Sequence, residues 1–173
     1  MEIKNLLIND KSCSFDLVTD DYRMANKLRR TIMSEIPTYA ISKIIFEINN
    51  TCFDDNFIYN RLLFVPIKFK EHENKILTLD VEADKYEKRV YSKELKGDYE
   101  VVYDDIILLK LFPKQKLKLN VELEKGIGKL HSKWECINHI IFYPTDDVFH
   151  FEIEAIGNLP IEDIINEALT KFS

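Results

Sequence analysis

Cysteine is scarce and scattered in this sequence. Only Cys13, Cys52 and Cys136 occur among 173 residues, an odd number with no Cys-x-x-Cys pair. A disulfide framework or a zinc site of clustered thiolates is not supported, and reduced thiols in an intracellular protein are expected. Glycine and proline are also few, 4 and 5, while hydrophobic residues reach 46% and aromatics 12%. That balance argues against a disordered or low-complexity chain and supplies one good core or two small ones. No apolar run reaches the ~18 residues of a membrane span. Residues 1–10 lack the basic-then-apolar order of a secretory signal. Basic charge is in deficit, with 24 Lys and Arg against 30 Asp and Glu, a formal net charge of -6. A protein that holds DNA through its own surface needs a basic face to neutralise phosphates. The bulk composition offers instead an acidic scaffold for basic protein partners, with room only for a local basic patch.

There is no internal repeat and no flexible linker, so organisation is read from changes in hydrophobic period. Ile3 to Asn9 and Ser14 to Val18 read as short strands. Thr19, Asp20 and Asp21 offer N-caps for a helix, which carries Ala25, Leu28, Ile32 and Ile36 and ends at Pro37. Thr38 to Ile48 reads as a long strand, and Asp54 can cap a shorter helix that Pro66 stops. Leu77, Leu79 and Val81 alternate with polar residues, as do Leu117, Leu119, Val121 and Leu123. This period of two means one buried and one wet face. Val101 to Tyr103 and Ile106 to Leu111 are further strand candidates. Phe149, Phe151, Ile153 and Ala155 form a last strand that Gly157 breaks. Ile161, Ile164, Ile165, Ala168, Leu169 and Phe172 then make the apolar stripe of a closing amphipathic helix. The class is α+β, with its strongest helices near opposite ends of the sequence.

Four stretches stand out: Ala25 to Ile41 (ANKLRRTIMSEIPTYAI), Asn50 to Ile67 (NTCFDDNFIYNRLLFVPI), Lys125 to Trp134 (KGIGKLHSKW) and Phe151 to Leu159 (FEIEAIGNL). In this order and at these spacings they resemble the D/alpha family of RNA polymerase subunits, over most of the chain. That family includes the archaeal D subunit, the third-largest subunit of the eukaryotic enzymes and the N-terminal region of bacterial alpha. The resemblance implies an alpha-subunit-like dimerisation domain built from both termini, expected over 1–48 and 147–173. A mainly antiparallel β domain is inserted over 49–146. It implies a non-catalytic assembly scaffold that heterodimerises with a small alpha-like, L-type subunit and nucleates assembly of the two large subunits. A homodimer of the bacterial-alpha kind is the alternative. The KGIGKLHSKW loop resembles the archaeal and eukaryotic form more and favours the heterodimer. No catalytic residue, metal or cofactor is implied, nor any sequence-specific DNA contact or membrane association. Nucleus, cytoplasm and virion are all compatible with this reading.

The site residues follow from the same frame. Arg29 and Arg30 lie between the apolar positions of the first helix, where an arbitrary helix would simply have a solvated face. In the family frame the pair faces a large subunit, and Arg30 matches the implicated position. Its planar guanidinium can bind carboxylates or carbonyls bidentately. Lys125, Gly126, Gly128, Lys129, His131, Lys133 and Trp134 form a loop that the resemblance assigns to the inserted domain and to the same large-subunit surface. The two glycines permit backbone conformations closed to other residues. The spacing is not that of a P-loop, and His131 has no second His or Cys at ligand spacing. Trp134 reads either as an interface anchor or as core. The stripes on the first and last helices are core by default. The family frame extends them into the dimer contact.

Asp54-Asp55, Asp104-Asp105 and Asp146-Asp147 could hold Mg²⁺, but such pairs are more often caps and turns. Pro144-Thr145 before the last pair reads as loop. Many archaeal and eukaryotic relatives carry a cysteine-containing cluster or zinc element in the inserted domain. Here Glu71 to Gly97 is short and lacks cysteine, so neither an iron–sulfur cluster nor zinc is expected. The family often has a histidine near Phe53-Asp54, where this chain has acidic residues. The chain stops at Ser173, so the DNA-binding appendage of bacterial alpha is not expected. Richness in Lys, Ile and Asn fits an AT-rich genome and a reduced or viral transcription system. A small hydrolase using His131 is disfavoured, because no nucleophile elbow, Cys–His motif or metal cluster accompanies it. A free-standing adaptor without a polymerase is a third reading.

Overall fold

The structure, a computed structural model, describes residues 2–145 and 148–172. The turn expected at Asp146-Asp147 lies outside the described residues. In chain order the elements begin with β1 (Glu2–Ile8), β2 (Ser12–Val18), α1 (Tyr22–Ser34), β3 (Pro37–Asn49), α2 (Asp55–Leu63) and β4 (Ile76–Glu82). There follow β5 (Lys88–Tyr91), β6 (Lys96–Gly97), β7 (Ile107–Leu111), β8 (Lys116–Ile127), β9 (Ile137–Thr145), β10 (Val148–Ala155) and α3 (Ile161–Phe172). They gather into two compact units, Met1–Thr38 with Gly126–Ser173, and Tyr39–Lys125.

In the first unit, period-two alternation puts Cys13, Phe15 and Leu17 of β2 and Phe149, Phe151, Ile153 and Ala155 of β10 on one buried face. The two strands pair antiparallel, with Phe151 opposite Phe15, at the centre of a sheet ordered β1-β2-β10-β9. Phe15 and Phe142 stack on Phe151, with ring centroids 4.9 and 5.2 Å away. The Asp21 carboxylate accepts the Arg23 amide at 2.8 Å and caps α1. Helices α1 and α3 pack together. Gly157, at φ 100°, makes the left-handed turn between β10 and α3 that a residue with a Cβ rarely adopts.

The wet face of this sheet carries an acid-sensitive contact. Asn5 adopts φ 52° at an irregularity in β1. Its amide donates to Asp16 Oδ2 at 2.6 Å, while His150 Nδ1 lies 2.6 Å from Asp16 Oδ1. The Asn5 hydrogen bond, then that of His150, lower the Asp16 pKa from the ordinary carboxylate value. A depressed carboxylate contributes stability above its unfolded pKa of about 4, which is lost as pH falls through the folded value. Asp16→Asn should therefore lose less stability between pH 6 and pH 3 than the parent chain. Urea midpoints at the two pH values measure this, and equal acid sensitivity would contradict it.

In the second unit, β3, β8, β4 and β6 form one sheet in that order, and β5 pairs with β7. Leu77, Leu79 and Val81 of β4 lie opposite Val121, Leu119 and Leu117 of β8, all buried. Between β3 and β8 the side-chain pairs Ser42–Glu124, Lys43–Glu122 and Glu47–Lys118 run in opposite senses along the two strands, as antiparallel neighbours do. Asp54 caps α2 by accepting the Phe57 amide, and Ile58 and Leu62 enter the core. Asp104-Asp105 occupies a turn.

Several expectations are corrected here. The compact units of the structure divide at 38/39 and 125/126, where the sequence reading places domain limits at 48/49 and 146/147. The reason is that β3 from Tyr39 onward pairs with β8, whereas β9 pairs with β10. Pro144 belongs to β9 rather than to a loop, and an edge strand tolerates a missing amide donor. Val101 to Tyr103 forms no strand; Val101 makes a single antiparallel bridge to Ile67.

Candidate partner-binding surface

Three basic side chains over two turns give α1 an unusual face. Arg23, Lys27 and Arg30 recur at i, i+4 and i+7, positions that share one side of a helix. In the first unit this side opens into a cleft of about 550 Å³ lined also by Lys129 and Lys171, with Glu35 as the single acidic residue among the described residues. Two of the five cations are engaged. Lys171 donates to the Glu35 backbone carbonyl at 2.6 Å and lies 3.5 Å from Glu167. Lys27 sits over the Phe172 ring at 4.7 Å. Arg23, Arg30 and Lys129 are exposed and make no ion pair with any described residue.

The loop expected to share a surface with Arg30 is brought there by backbone contacts. The Lys129 amide donates to the Ser34 carbonyl at 2.8 Å, which fastens the loop to the C-terminal end of α1. A Cβ on Gly128 would lie 3.2 Å from Met33 O and 3.3 Å from Ser34 Cα. One on Gly126 would lie 2.4 Å from Trp134 Cε2. Neither glycine uses a positive φ, so close approach, rather than special backbone conformation, explains both. The segment from Gly126 onward belongs to the first unit, not to the inserted one.

The remaining residues separate. Trp134 is core, 9% exposed, with its carbonyl accepting the buried Thr38 hydroxyl at 2.8 Å. Lys133 lies over its ring at 4.2 Å, and exposed His131 caps the short turn after it by accepting the Lys133 amide. Arg29 does not line the cleft but donates to Asn26 Oδ1, which does, at 3.2 Å. Lys125 falls in the second unit, 3.1 Å from Glu71 and over the Phe69 ring. There the Tyr39 hydroxyl donates to the same Glu71 at 2.6 Å. The Tyr39 and Lys125 hydrogen bonds lower the Glu71 pKa, while burial and then Glu71 raise that of Tyr39.

The apolar stripes are consumed within the chain. Ala25, Leu28, Ile32, Ile36, Ile161, Ile164, Ile165, Ala168 and Phe172 are each at most 4% exposed; Leu169 alone is half-buried. An α1 and α3 packed over one sheet bury both stripes within the chain. Among the described residues no group of three or more His, Cys, Asp or Glu comes together in a way that could hold a metal. No described helix is long and apolar enough to cross a membrane.

This two-helix, four-strand unit drawn from both ends of the sequence matches a known domain. Residues 14–173 match the family model described as the RNA polymerase Rpb3/Rpb11 dimerisation domain. The chain belongs to this family. Its relatives include the DNA-directed RNA polymerase subunit Rpo3 of Methanocaldococcus jannaschii, 35% identical over 147 residues, which cover 84% of this chain and 76% of that protein. Rpo3 of Pyrococcus horikoshii is 34% identical over 78% of this chain and 56% of its own length. Subunit 3 of RNA polymerases II, IV and V of Arabidopsis thaliana is 26% identical over 98% of this chain and 66% of its own. The chain thus spans between about half and three quarters of these Rpb3-type relatives.

Of the cleft, sequence reasoning singled out Arg30 and Lys129 but not Arg23, Lys27 or Lys171. The helical spacing of the first two was a visible signal. Lys171 joins them only because α3 packs on α1, a contact no local pattern encodes.

Proposed function

We propose that this Rpb3/Rpb11-family chain is a non-catalytic assembly subunit of a multisubunit DNA-directed RNA polymerase, acting inside the cell. It heterodimerises with a small alpha-like chain, and the pair nucleates assembly of the two large subunits. The observation that carries this reading is the family match, which runs from β2 through α3 and so takes in both helices and three of the four strands of the first unit. In this reading the helical side of that unit meets the small partner. Leu169 is the stripe residue with surface left to bury, and the nine buried positions support it from beneath. Arg30, with Lys129 beside it and His131 and Lys133 on the same loop, faces a large subunit.

The test is purification of the tagged chain from its native source followed by mass spectrometry. Two large polymerase subunits and one small alpha-like chain are expected; the chain alone, or a stable homodimer, would refute the proposal. Arg30→Ala should leave the circular dichroism and melting temperature unchanged, since its head group makes no ion pair with any described residue. It should weaken large-subunit recruitment by about 1.5–3 kcal/mol, the range for a lost charge-assisted hydrogen bond. Normal recruitment by the variant would remove Arg30 from the interface.

A further inference from the structure

We infer that the cleft between α1, Lys129 and Lys171 is a docking site for an acidic segment of a large polymerase subunit. This inference rests on the function proposed above and adds to it the chemistry of the partner. Five basic residues and one acidic residue line the cleft, in a chain whose formal net charge is -6. The concentration of positive charge is therefore local and runs against the balance of the whole molecule.

Part of this charge has an internal use. Lys171 covers the Glu35 carbonyl at the end of α1, where the helix dipole favours a cation. Arg23 has no such use. It sits in the first turn of α1, which carries no acidic residue, and a cation there opposes the dipole. Arg23 and Arg30 of α1 and Lys129 from a loop distant in sequence border one cleft and have no ion-pair partner among the described residues. Guanidinium groups that a fold leaves unpaired in a concavity are suited to bidentate capture of carboxylates from outside.

An acidic protein segment fits better than a nucleic acid. A phosphate backbone needs a basic track several residues long in each direction, and the acidic surplus elsewhere repels a long polyanion. A short acidic segment brings only the few charges the cleft can neutralise.

The test is fluorescence anisotropy with a fluorescein-labelled ten-residue glutamate peptide, titrated with the purified full chain in low salt. A ten-nucleotide oligothymidylate serves as the nucleic-acid arm. Peptide binding that weakens at least tenfold in the Arg23→Gln, Arg30→Gln, Lys129→Gln triple variant, and falls with added salt, is the expected result. An unchanged melting temperature shows that the variant is folded, and restoring Arg23 and Arg30 as lysines should recover part of the binding. Absence of peptide binding, binding equal in parent and variant, or tighter binding of the oligothymidylate would overturn the inference. The proposed function is judged separately, by recovery of the large subunits in the purification described above, so either can fail without the other.

Discussion

Phe151→Ala should destabilise the first unit by about 3–5 kcal/mol, the usual cost of emptying a buried aromatic site. Phe151 has no exposed surface. Its ring lies between Phe15 at 4.9 Å and Phe142 at 5.2 Å, both nearly parallel to it. Truncation therefore removes two stacking contacts as well as buried area, and leaves a cavity at the centre of a four-stranded sheet. Neighbouring strands fixed by backbone hydrogen bonds cannot close in to fill it. The measurement is convenient because the chain has one tryptophan, and Trp134 lies in the first unit. Its fluorescence during urea unfolding reports on that unit. A loss below about 1 kcal/mol would mean that the aromatic triplet is much looser than its geometry indicates.

Gly126→Ala should be costly for the opposite reason. The added Cβ would lie 2.4, 2.5 and 2.7 Å from three atoms of the Trp134 indole. The ring has little freedom to yield, because the Trp134 carbonyl accepts the buried Thr38 hydroxyl and Lys133 lies against the ring. Forcing a methyl into such a space costs about 1–3 kcal/mol. The double variant Gly126→Ala, Trp134→Leu should lose less than the sum of the two single changes, because the smaller side chain makes room. Thermal unfolding followed by far-ultraviolet circular dichroism tests all four proteins. Strict additivity would show that Gly126 and Trp134 do not constrain one another.

The contrast between these two sites shows what was legible in the sequence. Alternation of apolar and polar residues identified β4, β8 and β10, and caps at Asp21 and Asp54 placed the starts of α1 and α2, because these signals are local. Strand β9 was missed because Asn138, His139, Tyr143 and Pro144 obscure its apolar period; at the edge of a sheet one side of the strand meets solvent and the pattern weakens. The limits of the compact units were not legible because they fall within β3 and β8, so no loop or change of composition marks the division. The apolar stripes were correctly found on α1 and α3, yet a stripe does not say what buries it. Burial against the chain's own sheet had to come from the fold. In the same way the glycines of the loop were noticed, but their purpose depends on Trp134 and Ser34, which local spacing does not bring to them.

The pairing of β2 with β10 has a consequence for biosynthesis. Cys13 lies opposite Ile153 and Leu17 opposite Phe149, so the central contact of the first unit joins positions separated by well over a hundred residues. That unit cannot close until the last strand and α3 have left the ribosome, whereas Tyr39–Lys125 is a continuous stretch able to fold earlier, during elongation. Of the residues lining the basic cleft, Lys171 arrives last. A chain interrupted before α3 would possess a folded middle but no finished basic cleft, so the surface proposed to recruit large subunits would exist only on molecules synthesised through α3. Assembly would thereby include a proofreading step for translation through α3, enforced by topology alone.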